Sequence, residues 1–335
     1  MIERRTLLLT LGLTAFASAS RSIAGNEAVS VLRGFNLIET QNAQFGSNAA
    51  KLSIERLAST GATAATVIPF LWQPSILADD IILGSALPQH RIVLGIEQLH
   101  AAGLAAIVKP HVWVPQSWAG AIEIEAASED GWYSAYSEIL QKIAVTAEQS
   151  KAEVLVVGTE LRGVSGSDRW ESIIAEVRKV FSGKITYVAH GASEAEEISF
   201  WPQLDAVAVS LYPILGAADD SKKWDIAITD ELDRVQAVAQ KYEKPVWVAE
   251  IGIRSAEGAT ERPWESAEER VSKSDMALQA EVLKHWLIAL EARQIQDVWI
   301  WRWFTDPDGG GEEDTDFTVQ NKDAEDVVAI FWNRI

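Results

Sequence analysis

The chain has 335 residues, 48% of them apolar, a net charge of −19 and no cysteine. Such a chain buries a large core as a globular protein, and the missing cysteine excludes disulfides, thiolate metal sites and cysteine nucleophiles. The acidity argues against nucleic acid and anionic membranes as partners, because both select basic surfaces.

Residues 1–24 read as an export signal. Arg4-Arg5 precedes the apolar run Leu7 to Phe16, and Ala17-Ser18-Ala19 offers a small-residue cleavage site. The run is too short to span a bilayer as a helix, and the Arg-Arg pair resembles a twin-arginine signal. The mature chain, from about residue 29, is therefore expected in the periplasm or secreted, with no membrane contact after cleavage, and as a monomer.

The rest alternates strand and helix. Val31 to Leu37 reads as a first strand and Asn48 to Ser59 as a helix. Ala64 to Leu71 is a second strand ending at Trp72-Gln73, followed by a helix from Gln89 to Ala102. Ala105 to His111 is a third strand; a loop with Trp113, Trp118 and Ile122 leads to a helix from Tyr133 to Gln149. The fourth strand closes on Gly158-Thr159-Glu160, and Asp168 to Phe181 is an amphipathic helix. The fifth, Ile185 to Ala189, ends at His190-Gly191, with a short polar connection after it. The sixth, Ala206 to Pro213, carries Tyr212, and its helix runs from Asp230 to Lys241. Pro245-Val246-Trp247-Val248-Ala249-Glu250 is the seventh, with a helix from Lys273 to Ala292. Val298 to Phe304, with Trp299, Trp301 and Trp303, is the eighth, and Ala324 to Trp332 closes the chain.

Eight strand–helix repeats without a composition break predict a single-domain α/β fold, the (β/α)8 TIM barrel, over residues 29–335. A doubly wound sheet would want a Gly-rich phosphate loop after the first strand, and none is present. In a barrel the site lies at the C-terminal strand ends. Those ends carry Trp72, His111, Glu160, His190, Tyr212, Glu250 and Trp303.

Two of these are glutamates that each close a buried apolar strand, a costly placement unless the carboxylate is paired or used. Acetal cleavage needs two such groups, one to protonate the leaving oxygen and one to attack or to activate water. A separation of about 5–5.5 Å corresponds to a covalent intermediate and a wider one to inversion. Glu160 is assigned as acid/base and Glu250 as nucleophile, with Tyr212 placed to hydrogen-bond Glu250.

Strand-four and strand-seven glutamates are the layout of the large retaining glycosidase clan. More narrowly, the chain resembles glycoside hydrolase family 113, whose characterised members are endo-β-1,4-mannanases. The resemblance rests on Val108-Lys109-Pro110-His111-Val112 with Trp118-Ala119-Gly120, and on Val157-Gly158-Thr159-Glu160-Leu161. Trp170 with Val177-Arg178, Phe200-Trp201 with Leu204-Asp205, and Ala249 to Ser255 follow in order. Pro263-Trp264 and Phe317 to Lys322 complete it.

The resemblance implies a retaining hydrolase of a β-linked, mannan-like polysaccharide or oligosaccharide, acting without cofactor or metal. Its sugar contacts are expected from Trp72, His111, Trp113, Thr159, His190, Tyr212, Trp301 and Trp303. Thr159 departs from the clan, which places Asn there, and His190-Gly191 stands where Asn followed by an aromatic is expected. Both departures bear on the substrate more than on the reaction.

The competing readings are structural. Both glutamates could be structural, each buried against an arginine such as Arg162, Arg254 or Arg302. Separate alternatives are a non-catalytic carbohydrate-binding barrel that kept the cleft and a glycosidase of another β-glycan specificity. Asp79-Asp80, Asp219-Asp220 and Glu312-Glu313-Asp314 read as solvated loops rather than metal ligands, Trp299 as barrel filling, and Trp286 and Trp332 as core.

Overall fold

The computed structural model describes residues 31–85 and 87–334. The expected export signal lies outside the described residues.

Eight parallel strands close into a barrel. In chain order they are β1 (Gly34–Ile38), β2 (Ala64–Val67), β5 (Ala105–Val108), β7 (Val154–Thr159), β8 (Lys184–His190), β9 (Val207–Leu211), β10 (Val246–Ile251) and β11 (Val298–Phe304). Each pairs with its neighbours in sequence order, and β11 pairs with β1 to complete the ring. Helices α1 (Asn48–Ser59), α2 (Gln89–Ala101), α3 (Glu129–Gln149), α4 (Arg169–Val180), α5 (Gly191–Glu197), α6 (Ser221–Tyr242), α7 (Met276–Ala292) and α8 (Asp323–Trp332) accompany them. This is a TIM barrel. Its strands are brief apolar runs because both faces are covered: all four residues of β2 and all six of β7 are buried.

Two expected strands are in fact each split by a proline. The second stops at Val67 and the third at Val108, ahead of Pro69 and Pro110. Proline has no N–H to give a ladder, so the chain turns out of the barrel at both places. It then pairs again, as β3 (Phe70–Trp72) and β6 (His111–Trp113), with β4 (Ile82–Leu83) on the far edge. This small sheet stands above the barrel and sets Phe70 beside His111 and Trp72 beside Trp113.

Helix boundaries follow local chemistry. Ser47 caps α1 by accepting from the Ala50 N–H at 3.1 Å. The expected helix from Asp230 starts earlier, at Ser221, because Asp220 is an N-cap whose side chain accepts from Lys223 N–H. Asp220 is thus a cap rather than a residue of a solvated loop. The polar connection after β8 is the helix α5, whose Ala192, Glu194 and Ala195 face inward. The acidic loop before α8 is also tied down: Asp314 accepts from Lys322 at 2.5 Å, and Asp316 pairs with Arg302.

Nine of the fourteen tryptophans are buried, and Trp72, Trp113, Trp118 and Trp264 are the exposed ones. Behind β7 and β8 the rings of Trp132, Tyr136, Trp170, Tyr187 and Phe200 pack edge and face, with centroids 5.2–5.7 Å apart. A Cβ on Gly158 would lie 2.8 Å from Tyr187 and 3.0 Å from Trp170. Glycine there lets the aromatic layer press against the strand that delivers Glu160.

Candidate active site

Glu250 lies near the end of β10 and is 5% exposed. Its Oε1 takes the ammonium of Lys109, and its Oε2 accepts from the Tyr212 hydroxyl at 3.0 Å. The bond expected from Tyr212 is therefore present. Lys109 follows β5, is 0% exposed, and gives a second hydrogen bond to Asn36 Oδ1 at 2.9 Å. Asn36 spends its amide on the carbonyls of Ala249 and Trp299, at 3.0 and 3.1 Å. One chain of polar groups thus runs from β1 through β5 to the nucleophile candidate. Burial pushes the Glu250 carboxyl above its ordinary range; the Lys109 ammonium pulls it back, the Glu160 charge adds to the rise, and the Tyr212 bond opposes it.

Glu160 is the residue after β7. Its φ of 54° lies in the left-handed region, which a non-glycine residue adopts at a cost of about 1–3 kcal/mol. Its N–H donates to Val188 O at 2.8 Å, and the turn aims its side chain at β8 and β9. There Oε1 accepts from Ser210 Oγ and meets His190 Nδ1 at 3.0 Å. Burial alone would raise this carboxyl, but the hydrogen bond and charge of His190, the charge of His111 and the Ser210 bond bring it to about 2. His111 is itself pushed down to about 4 by burial, against the pull of Glu160 and with Lys109 adding to the drop. The cation that counts above pH 4 is therefore His190, whose own value is raised because the Glu160 bond and charge outweigh its burial.

The two carboxyls are close enough that each one's charge acts on Tyr212, and Glu160 acts on Glu250. Neither takes an arginine. Arg254 instead lies 3.9 Å from Glu265, and Arg302 is paired with Asp316. The reading in which arginines neutralise both glutamates therefore fails for these two, and no ion pair joins Arg162 to either glutamate among the described residues.

The other expected contacts divide. Trp72 and Trp113 are 41% and 53% exposed, side by side on the upper sheet. His111 opens β6 in that sheet, half-buried and near enough for its charge to act on Glu160, and its Nδ1 has no partner among the described residues. Trp301 is half-buried with the Lys109 ammonium 5.3 Å from its ring centre. Thr159 is 1% exposed, and its hydroxyl donates to Pro110 O at 3.0 Å. It therefore ties β7 to the β5–β6 turn and has no free face for a sugar.

Trp303 is a correction. It does not share a face with Trp301, because the β1–β11 register skips a residue: Asn36 pairs with Trp301 and Leu37 with Trp303. The bulge turns Trp303 outward, where it is 0% exposed, packs on Phe35 and donates to Ser53 Oγ of α1 at 2.9 Å. Trp299 is buried, with its Nε1 on Leu32 O.

Sequence reasoning missed Lys109, Asn36, Ser210, Glu194 and Trp118 as members of the site. Lys109 carried a signal, since a lysine closing an apolar strand poses the same problem as a glutamate there. Ser210 and Asn36 carried none, being small polar residues inside strands.

The sequence profile of Glycoside Hydrolase Family 113 matches residues 35–322. The chain belongs to this family. A family 113 β-1,4-mannanase solved as a complex is similar in fold, with a TM-score of 0.80 and 24% identity over 91% of this chain and 99% of that one. The family 113 β-mannanase of Alicyclobacillus acidocaldarius, in complex with ManMIm, gives a TM-score of 0.77 at 23% identity, over 91% and 97%. The β-glucuronidase of Ruminococcus gnavus is more distant, at 0.61 and 14%, and only 50% of its chain is covered. No curated protein matches the sequence. As a family 113 glycoside hydrolase, the chain takes a carbohydrate substrate.

Proposed function

We propose that this family 113 glycosidase cleaves a β-1,4-linked mannan or glucomannan by double displacement. The observation that carries the mechanism is the unequal support of the two glutamates. Glu250 is held by a buried ammonium and a tyrosine hydroxyl, which aim the carboxylate and offset part of its desolvation. Glu160 is held through Oε1 alone by a hydroxyl and an imidazole, which leaves Oε2 to a leaving oxygen.

In the first step a Glu250 oxygen attacks the anomeric carbon, and Glu160 gives a proton to the departing glycosidic oxygen. In the second, water attacks the anomeric carbon of the glycosyl–Glu250 ester, Glu160 takes the water proton, and the C–O bond to Glu250 breaks to release its carboxylate. Trp72 and Trp113 offer two neighbouring faces to the sugar chain. The choice of mannan rests on the family 113 mannanases alone, and export on residues 1–24.

The test is reducing-end release by the mature protein on mannan, glucomannan, xylan and mixed-linkage β-glucan, beside Glu250→Ala. Release from the mannans that vanishes in the variant is expected. Release from another polymer only overturns the substrate, and activity surviving in Glu250→Ala overturns the nucleophile.

A further inference from the structure

His190 is fixed on three sides. Its ring lies 4.6 Å from Trp118 at 49°, its N–H donates to Glu194 Oε2 at 2.6 Å, and its Nδ1 is 3.0 Å from Glu160 Oε1. Glu194 is 0% exposed and also accepts from the Tyr187 hydroxyl at 2.7 Å. That hydroxyl in turn accepts from the N–H of Leu161 at 2.9 Å. One buried carboxylate on α5 therefore holds the backbone of His190 and, through Tyr187, the backbone of the residue that follows Glu160. Such an arrangement fixes the spacing of the two backbones that carry the imidazole and the carboxyl, while the Trp118 ring packs on the imidazole. Among the described residues no hydrogen bond reaches Glu160 Oε2.

Resting on the acid/base reading of Glu160, we propose that His190 is the positioning residue of that acid and shares one exchangeable proton with it. Nδ1–H is donated to Oε1 throughout. The exchangeable proton sits on His190 Nε2 in the resting form and on Glu160 Oε2 in the productive form. Cleavage passes the Oε2 proton to the leaving oxygen, and the pair becomes a carboxylate beside a neutral imidazole. The attacking water then forms its bond to the anomeric carbon and returns a proton to Oε2, while the ester electron pair goes back to Glu250. Two such coupled groups titrate as a unit, so the pair keeps its proton up to the imidazole range.

The surrounding charges agree with this assignment. Glu160 and Glu194 raise the His190 affinity for a proton, and Arg162 lowers it. Glu231 lies behind, bound to the N–H of Ala192 at 2.9 Å. On the other side Glu160 faces His111 and Glu250, with Lys109 and Tyr212 beyond.

The experiment is a side-chain nitrogen-15 titration of the five histidines in the full mature protein, with His190→Asn to assign the His190 signals. His190 is expected to titrate above its ordinary 6.5, and to drop by about 1–3 units in Glu160→Gln, where the opposite charge is gone. An unchanged midpoint in Glu160→Gln, or a His190 neutral throughout pH 5–8, overturns the proposal. On a cleaved substrate the basic limb of kcat/KM should coincide with that midpoint and move in His190→Asn. A limb that stays in place also overturns it. If no glycan is cleaved, the function reading fails, and the titration still decides the pairing.

Discussion

Lys109 Nζ and Glu250 Oε1 form an ion pair sealed from solvent, with side chains 0% and 6% exposed. Two strands bring it about: the lysine directly follows β5 and β10 carries the glutamate, and Asn36 on β1 holds the ammonium from the other side. Desolvating both charges is expensive, and their attraction offsets it only while both are present.

Replacing Lys109 by Met should therefore do two things. The stranded carboxylate should cost about 3–5 kcal/mol of stability, the usual consequence of breaking a buried pair. The Glu250 carboxyl should rise further and lose the partner that aims it, so kcat should fall by about a hundredfold or more. Thermal unfolding and kcat measured on the same preparation check both. Unchanged kcat would remove Lys109 from the catalytic account.

Glu160→Gln keeps the shape of the side chain and the Ser210 contact but cannot give or take a proton. Cleavage of an unactivated glycosidic bond should fall by about 10²–10⁴-fold, the range of a lost general acid/base. An aryl glycoside whose leaving group departs without protonation should lose far less in its first step. Equal losses on both substrates would argue that Glu160 only shapes the cleft.

The barrel was legible because its eight buried runs are short, apolar and separated by amphipathic helices; α1 has its expected bounds at both ends, and Ser47 caps its first turn. The departures have local causes. Pro69 and Pro110 cut two runs that look continuous by hydropathy, and the chain beyond them builds the upper sheet carrying Trp72 and Trp113. Helix α5 spans seven residues, too few to show a helical period. The α6 period was present, in Trp224, Ile228, Leu232 and Val235, but Asp219-Asp220 read as loop rather than as cap. Trp301 and Trp303 stand two apart, which in a regular strand puts them on one face, and a bulge, invisible in composition, separates them. The two strand-end glutamates were legible for the reason that Lys109 should have been: an ionised group closing a buried strand needs a partner.

The upper sheet invites a test of binding alone. Trp72 and Trp113 are exposed neighbours on one register row of the upper sheet, outside the barrel strands that carry the two carboxyls. Removing either ring takes away contact made equally in ground and transition states, which raises KM without lowering kcat. Trp72→Ala and Trp113→Ala should each raise KM on a long polymer about tenfold, equivalent to about 1.4 kcal/mol. A short aryl glycoside that does not reach the sheet should be unaffected. A fall in kcat on both substrates would show that these rings support the catalytic geometry instead.

His111 gives the fold a pH dependence of its own. Its protonation is pushed down to about 4 by burial, against an unfolded value near 6.5. Between these limits the unfolded chain binds a proton that the folded chain refuses, so stability falls as pH drops from 6.5 to 4, by on the order of 3 kcal/mol. Glu160, held at about 2, has the same sign lower down: its contribution is complete above the ordinary glutamate range and is lost as pH falls toward 2. His190 has the opposite sign. Its raised value adds stability at and below 6.5 that is lost as pH climbs through its folded value. Tm should therefore peak near pH 6.5 and decline on both sides. His111→Gln removes the group whose protonation is refused, so its Tm should stay nearly level from pH 6.5 to 4.5. A slope there as steep as that of the parent protein would place the acid sensitivity elsewhere in the carboxylate-rich surface.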